Sequence, residues 1–540
     1  MRETVSTDAG TGARRGRRLP RLRTLLPSAT ETVCAVASAL LLVLAFPDLG
    51  LWPLAWVALV PLLFSLARRP RMVQSFLAGW LAGTLFFYAS CFWLTFPMIR
   101  YAGIPAPLAY LLLLAPAAAG GCFPALALLA LARLCGRSGS VALLLAPALW
   151  VACEWARLGV IGQLWNAVGY SQAFRPALIQ AARFGGVYAV SFLVVAFNAA
   201  LAYALSKRSV RGALVSAAAV ACVALAVCGA ALTKVPGTER TASALVVAVQ
   251  PNVVPDFDRG EDEYDALRRR HFELSDEGLR APVAVGAKTP RVVVWPESPM
   301  NFSLDRDRKF REELKAYVTS RNVSLLFNSL EPAANGGGYN AAVLVDERGL
   351  PAAQYDKIRL MPFGEYVPLP RWLPGAGALS GVVGDFTPGE HYTLIPLGTG
   401  EGSPRAGAFI CLESAYPDIA RRLTLEGADV LVEMTNDAYQ GDTSILRQHL
   451  SNAVFRAVEN GRPLLRVTNT GVGARIDERG RVFEETGRFV EAVRAWPVAR
   501  SDGRRTFYAE HGDLFAAACS LLSLAAVALT FRRKRSQQNF

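Results

Sequence analysis

The sequence predicts a membrane α-helical bundle joined to one α/β domain. Three observations predict it. Long apolar stretches fill residues 33–233 and recur near the C-terminus; residues 238–510 have a globular mixture in which strand-like and helix-like runs alternate; and basic clusters flank the apolar stretches. At 540 residues and 52% hydrophobic, with a mean hydropathy of +0.27, the chain is too apolar for an ordinary soluble protein. Its formal charge of +13 does not require a nucleic-acid partner. The basic residues cluster at Arg14, Arg15, Arg17, Arg18, Arg21 and Arg23, and again at Arg532 to Arg535, beside apolar segments, where membrane topology accounts for them.

Residues 1–24, rich in Arg, Gly and Thr and without periodicity, read as a disordered basic cytoplasmic tail. The apolar run after it has no small-residue cleavage site and is followed at once by another apolar segment, so it reads as an uncleaved first span. Eight spans are expected, near 33–47, 51–67, 74–97, 108–133, 141–156, 183–205, 211–232 and 513–531. The basic tail, Arg68-Arg69-Pro70-Arg71, Arg133 with Arg137, Lys207-Arg208 with Arg211, and Arg532 to Arg535 all fall on one side. By the positive-inside rule both termini are cytoplasmic, and the domain between spans seven and eight faces outward. The expected organisation is therefore a tail (1–24), a seven-span bundle (25–235), a soluble domain (238–510), a final span (511–531) and a short cytoplasmic tail (532–540). The outer loop from Glu154 to Gln172 is rich in aromatic residues, which fits an interfacial aromatic belt or a lipid site at the outer leaflet.

Within the soluble domain the strands are expected at Ala244–Gln250, Arg291–Trp295, Ser324–Asn328, Ala341–Asp346, Ala352–Tyr355, Ala408–Ile410, Val430–Met434, Leu464–Thr468 and Ala474–Asp477. Helices are expected at Glu261–Arg280, Arg306–Arg321, Asp418–Glu426 and Ile445–Asn460. Asp346-Glu-Arg-Gly349 and Asp477-Glu-Arg-Gly480 carry turn chemistry between paired strands.

Of nine cysteines, eight lie in apolar segments, where Cys behaves as a small hydrophobe; Cys411 alone lies in the polar part of the chain. It ends the buried strand Ala408–Ile410, just before a helix, where open α/β sheets place their chemistry. Glu297 follows another strand in the same way, and Lys357 a third, so strands lying side by side would bring the three side chains to one sheet edge. None of the four histidines, His271, His391, His449 and His511, follows a strand, and His449 reads as a structural hydrogen-bonder. The base for a cysteine nucleophile would then be a carboxylate. A neighbouring Lys⁺ can stabilise the thiolate and then the oxyanion of a tetrahedral intermediate.

The combination of Trp295-Pro-Glu297, Tyr355-Asp-Lys-Ile-Arg-Leu-Met-Pro-Phe-Gly-Glu365, Cys411-Leu-Glu413 and Thr435-Asn-Asp437 resembles the carbon–nitrogen hydrolase (nitrilase) superfamily. With many spans before it and one after, the chain is similar to the apolipoprotein N-acyltransferase family along nearly its whole length. The resemblance implies an αββα sandwich, with Glu297 as general base, Lys357 as oxyanion-stabilising group and Cys411 as nucleophile. Glu365 and Glu413 match two further glutamates of the family, and Asn436 lies in a matching motif. It implies acyl transfer from a phospholipid, through an acyl-cysteine, to the N-terminal diacylglyceryl-cysteine of apolipoproteins, at the bacterial cytoplasmic membrane, by a monomer with neither cofactor nor metal. Two motifs depart from the family. Leu412 stands where a Tyr commonly follows the nucleophile, and its backbone N–H could still serve an oxyanion hole; Tyr439-Gln440 replaces the usual Trp-Phe. Phe257 corresponds loosely to an aromatic residue near the domain's start. The alternatives are a membrane-anchored amidase or nitrilase using the same three residues on a soluble substrate, and a transporter-like protein with a binding domain. The spans lack the run of ionisable residues that a permeation path needs.

Overall fold

The computed structural model describes residues 25–207, 220, 221, 229, 241–256, 259–298, 300–334, 336–367, 386–400 and 402–531. The two expected tails, most of the expected seventh span at 211–232, and Phe257 lie outside the described residues.

The N-terminal part is helical: α1 (Ala29–Ala45), α2 (Val60–Arg68), α3 (Met72–Ser90), α4 (Thr95–Arg100), α5 (Ala106–Ser138), α6 (Ala146–Ile161), α7 (Pro176–Ile179) and α8 (Ala182–Ser206). A capping box starts α1: Ser28 Oγ accepts the Glu31 N–H, and Glu31 Oε2 accepts the Ser28 N–H at 2.6 Å. Among the described residues, Met72–Ser90, Ala106–Ile161 and Ala182–Ser206 are long and apolar enough to cross a membrane, while Ala29–Ala45, Trp52–Arg68 and Leu514–Leu529 are shorter apolar segments. The stretch expected as the second span is the 3₁₀ turn Trp52–Trp56 followed by the nine-residue α2. Each piece carries a proline, Pro53 or Pro61, at its second position, and proline cannot continue a helix from the preceding turn. The expected third span likewise breaks after Ser90 into a 3₁₀ turn and α4.

Small residues let α3 and α5 approach closely. A Cβ on Gly121 would lie 2.8 Å from the Thr84 backbone nitrogen, and one on Gly83 would lie 2.8 Å from the Gly121 Cα. α8 is bent at Gly185–Gly186, and Gly186 has φ +64°, with the Tyr508 ring where a Cβ would stand.

The C-terminal part alternates strand and helix: β1 (Ala244–Gln250), α9 (Glu261–Leu279), β2 (Arg291–Val294), α10 (Arg308–Arg321), β3 (Ser324–Pro332), β4 (Gly338–Val345), β5 (Pro351–Asp356), β6 (Ile395–Pro396), β7 (Arg405–Ile410), α11 (Pro417–Leu425), β8 (Val430–Thr435), α12 (Ile445–Asn460), β9 (Leu464–Thr468), β10 (Ala474–Ile476), β11 (Val482–Phe483) and β12 (Ala492–Val498). The short α13 (Phe507–His511) and the apolar α14 (Leu514–Leu529) follow. Among the described residues the strands form two sheets of six, ordered β12-β1-β2-β3-β4-β5 and β11-β10-β9-β8-β7-β6.

Side-chain alternation sets the layers. Val247, Val249 and Val293 pack with Leu274 of α9 and Phe310 and Leu314 of α10. Val246, Ala248, Val292 and Val294 share the other core with Ala408, Ile410, Val432 and Met434 of the second sheet. The second sheet's outer face is covered by α11 and α12, which completes an αββα sandwich. On its far side α12 meets the membrane helices: Val187 N–H of α8 donates to Glu459 Oε1 at 2.9 Å. Every residue of α12 except Arg447 is buried. The expected turns at Asp346–Gly349 and Asp477–Gly480 join β4 to β5 and β10 to β11, with Asp346 Oδ1 and Asp477 Oδ1 each accepting two turn N–H groups.

Candidate active site

Glu297, Lys357 and Cys411 do not share one sheet edge. β2 and β5, which carry Glu297 and Lys357, are separated by β3 and β4 in the first sheet, and β7, which carries Cys411, belongs to the second. The three still meet, because β2 and β5 run in the same direction, as the pairings through β3 and β4 require, and the two sheets stack so that the end of β7 faces theirs. Strand polarity alone shows which end of a strand holds chemistry, but not which sheet it belongs to.

Lys357 is the hub. Its ammonium, with the side chain only 2% exposed, lies 3.3 Å from Glu297 Oε1 and 2.9 Å from Glu365 Oε1. Burial opposes the charge, but Glu297, Glu365 and the nearby Cys411 together hold the ammonium well above the usual lysine range. Asn340, at the start of β4, donates through Nδ2 to Glu297 Oε1 at 3.1 Å and to Glu365 Oε1 at 2.6 Å. Its Oδ1 accepts from Asn328 Nδ2 at 2.6 Å, which fixes the orientation of the amide. Glu365 Oε2 accepts the Met361 N–H at 2.7 Å, and Glu297 Oε2 accepts the Asn436 backbone N–H at 3.1 Å. The side-chain oxygen of Asn436 caps the next turn through the Ala438 N–H and also accepts from Asn469 Nδ2.

Cys411 starts the 3₁₀ turn Cys411–Ala415 with φ +54°, the left-handed region that non-glycine residues seldom occupy. Two groups hold this turn. Glu413 is fully buried and receives five hydrogen-bond contacts: the Tyr355 hydroxyl at 2.9 Å from both oxygens, Ile358 N–H at 2.8 Å, Arg359 N–H at 3.1 Å and Ile410 N–H at 2.8 Å. It thereby ties the Cys411 turn to the loop that follows Lys357. Burial pushes the Glu413 carboxyl up to about 7 against these donors. The Cys411 carbonyl accepts from His449 Nε2 at 3.0 Å. Desolvation pushes the Cys411 thiol well above its usual value; Glu297 and Asp437 add to the shift, while Lys357 and the Thr435 hydroxyl oppose it. Leu412 is half-buried, and its N–H belongs to the first turn, where N–H groups lack an intrahelical partner. The site thus brings together a buried thiol, two carboxyl groups and a buried cation.

Asn340 and Asn328 were not singled out from the sequence. Their signal is a polar residue in an otherwise apolar strand, which does not by itself distinguish a site from a solvated edge. The aromatic outer loop also folds otherwise than expected. An interfacial belt would leave its rings facing lipid, yet Trp165 is 4% exposed and its Nε1 donates to Gln448 Oε1 of α12 at 2.9 Å. Trp93 Nε1 donates to the same oxygen at 3.1 Å, and Gln448 Nε2 donates to the Ser90 carbonyl at 2.9 Å. The loop is a domain interface. Close by, the Tyr439 ring meets Tyr101 at 5.7 Å, and Gly441 lies against the Phe96 ring, so α4 and the residues after it wall the turn that begins at Asn436.

Fold and site together define a carbon–nitrogen hydrolase domain built onto apolar helices, and the model of the "Carbon-nitrogen hydrolase" family matches residues 285–506. The model of the "Apolipoprotein N-acyltransferase N-terminal domain" matches residues 38–200. The chain is 33% identical over 521 residues to the apolipoprotein N-acyltransferase of Geobacter metallireducens, covering 93% of this chain and 96% of the relative. It is 30% identical over 520 residues to that of Allorhizobium ampelinum, with the same coverage of 93% and 96%. Among solved structures, an amidase from Nesterenkonia sp. aligns at a TM-score of 0.37 and 17% identity, covering 52% of this chain and 97% of the amidase. The chain belongs to the apolipoprotein N-acyltransferase family.

Proposed function

We propose that this protein transfers a fatty acyl chain from a membrane phospholipid to the α-amino group of the N-terminal diacylglyceryl-cysteine of apolipoproteins, by way of a thioester on Cys411. The observation that carries this is the meeting of Glu297, Lys357, Glu365 and Cys411 at one end of the sandwich, beside a turn packed on a membrane-domain helix. In the first half-reaction Glu297 takes the thiol proton as sulfur attacks the ester carbonyl. The resulting oxyanion is held by the Lys357 ammonium and the Leu412 N–H. The ester C–O bond then breaks, Glu297 returns the proton to the leaving oxygen, and a lysophospholipid departs. In the second half-reaction the amine attacks the thioester carbonyl and gives its proton to Glu297, and the sulfur leaves and is reprotonated. Glu365 and Asn340 keep Lys357 and Glu297 in register, and Asn436 holds the second oxygen of Glu297.

Exclusion of water protects the thioester from hydrolysis, and a site packed against membrane helices supplies it. We assign the chain to the bacterial cytoplasmic membrane as a monomer with eight spans, both termini inside and residues 238–510 on the outer face. The asymmetry of the basic loops supports this topology. A reporter fused after Arg240 should be active only outside the cytoplasm and one at the C-terminus only inside; the reverse pattern excludes the scheme. The chemistry is tested by incubating purified protein with labelled phospholipid alone. A hydroxylamine-labile adduct should form on Cys411, with one lysophospholipid released per adduct, and Cys411→Ala should form none. Absence of any adduct in the wild type, with transfer only when both substrates are present, would instead mean direct attack of the amine on the ester.

A further inference from the structure

His449 lies behind the nucleophile, in a cluster that the scheme above does not use. Its Nδ1 is 2.7 Å from Asp437 Oδ1, and its Nε2 is 3.0 Å from the Cys411 carbonyl and 3.1 Å from Glu433 Oε1. A carbonyl or an ionised carboxylate can only accept, so each ring nitrogen must carry a proton. Charge balance agrees. Arg466 pairs with Glu433 at 2.6 Å and with Asp437 at 2.7 Å, and all four side chains are at most 3% exposed. With a neutral imidazole this buried quartet would hold two carboxylates against one guanidinium, leaving an unpaired charge away from water.

We infer that His449 is a permanently charged positioning residue: as an imidazolium bound to the Cys411 carbonyl, it fixes and polarises the Cys411–Leu412 peptide, so that the Leu412 N–H can receive the oxyanion formed when Cys411 is acylated. In a planar trans peptide the C=O and N–H point in opposite directions. Fixing the carbonyl on His449 therefore fixes the N–H on the opposite side of the same unit. A charged donor on the carbonyl also polarises the peptide and strengthens its N–H as a donor. This chain has Leu412, with no side-chain hydroxyl, immediately after the nucleophile, so the backbone N–H is what that residue can offer an oxyanion. Burial and Arg466 push the His449 ring down, but Asp437 and Glu433 outweigh them and hold it up at about 9. The groups facing the ring are Asp437 from the turn after β8, Glu433 from β8, Arg466 from β9, the Cys411 carbonyl, and Trp165 of the membrane domain, whose ring centroid is 5.6 Å away. The adjacent Gln448 is anchored by Trp93 and Trp165, so the membrane domain sets the position of the imidazolium.

The inference rests on Cys411 being the acylated group, and the test separates the two. Full-length protein in micelles is given dioleoyl-phosphatidylethanolamine with a radiolabelled acyl chain, and single-turnover acylation is followed. Alkylation of Cys411 by iodoacetamide, which forms no oxyanion, is followed in parallel. His449→Leu should acylate about 10- to 100-fold more slowly, less than the 10²–10³-fold typical of outright loss of an oxyanion donor. Its alkylation rate should stay within about twofold of wild type, since iodoacetamide attack places no charge on the oxyanion donors. His449→Gln, which keeps a donor but not the charge, should fall between Leu and wild type. The wild-type/His449→Gln ratio of acylation rates should stay constant from pH 6 to 8. Equal loss of acylation and alkylation in both variants would mean a merely structural histidine and overturn the inference, as would a ratio that collapses near pH 6.5 or unchanged acylation in His449→Leu. Absence of an adduct in the wild type would instead overturn the proposed function.

Discussion

Replacing Glu297 by Gln should move two reactions of the same thiol in opposite directions. The three groups on the Glu297 carboxylate, Lys357 Nζ, Asn340 Nδ2 and the Asn436 N–H, are all donors. Gln can keep its oxygen toward Lys357 and Asn340, leaving the amide nitrogen against the Asn436 N–H. One stranded donor costs about 1–3 kcal/mol of stability, which a folded domain tolerates. The chemical effect is larger. If Glu297 is the base, the variant's thiol must ionise unaided, and even at an ordinary value near 8.5 it would be only about 10% thiolate at pH 7.5. Loss of general-base transfer in both half-reactions should cut acyl transfer by about 10²–10⁴-fold, or roughly 3–5 kcal/mol of barrier. Yet Glu297 is one of the charges that push the Cys411 thiol up, while Lys357 pulls it down. Without that carboxylate the thiol ionises at lower pH, so alkylation by iodoacetamide near neutral pH should speed up. The assay pairs single-turnover acylation with a pH profile of alkylation, each mapped to Cys411. Near-normal acylation would remove Glu297 from the mechanism and make Glu365 the next base to test. Slower alkylation would show that Glu297 does not act on the thiol through its charge.

Lys357→Met should do the reverse to the thiol: alkylation slows because the thiol loses the cation that lowers its pKa, and acylation falls below detection while lipid binding persists. Glu413 carries a pH signature. Its carboxyl rises from 4.5 to about 7 on folding, so its protonated form stabilises the fold and that contribution is lost as pH climbs through this window, on the order of 3 kcal/mol by pH 8. The wild type should melt at a higher temperature at pH 5 than at pH 8, and Glu413→Gln should remove its share of that difference, leaving the share of Glu459, which burial also pushes up to about 7; an unchanged slope would place the titration elsewhere. Gly121→Leu should drive α3 and α5 apart, because a Cβ already meets Thr84 backbone at 2.8 Å. The expected result is loss of folded protein from the membrane fraction, with Gly136→Leu, whose Cβ would meet nothing within 4 Å, as the tolerant control.

Much of the sandwich was legible because its strands are short apolar runs bounded by turn residues and its helices are amphipathic. Ile445–Asn460 and Leu464–Thr468 fold over the expected residues. β12 was not expected, because Arg494 and Pro497 interrupt its pattern; as the edge strand beside β1 it tolerates a proline that a central strand would not. The meeting of Glu297, Lys357 and Glu365 rests on residue types and order that the sequence displays. The stacking of two sheets depends on packing over long separations, which local pattern does not encode. For the same reason Trp165 looked like a lipid-facing ring: nothing near it in the chain tells that Gln448, far downstream, accepts its N–H.

The enclosure of α12 has a consequence for how the protein is made. In a free-standing sandwich an outer helix keeps one wet face, and such a unit can fold as soon as it leaves the ribosome. Here the far side of α12 is finished by α8, through the Glu459 carboxylate that receives the Val187 N–H at the bend in that helix. Buried Arg456 binds the same carboxylate and the Tyr170 hydroxyl. A carboxylate and a guanidinium at the centre of an unfinished interface have nowhere to go but water. A sandwich that closes before α8 is in place leaves this pair at an unfinished face, so α12 should complete its packing only once α8 is present. Synthesis from the N-terminus delivers α8 before α12, and a sandwich made without the helices should show this face as reduced solubility.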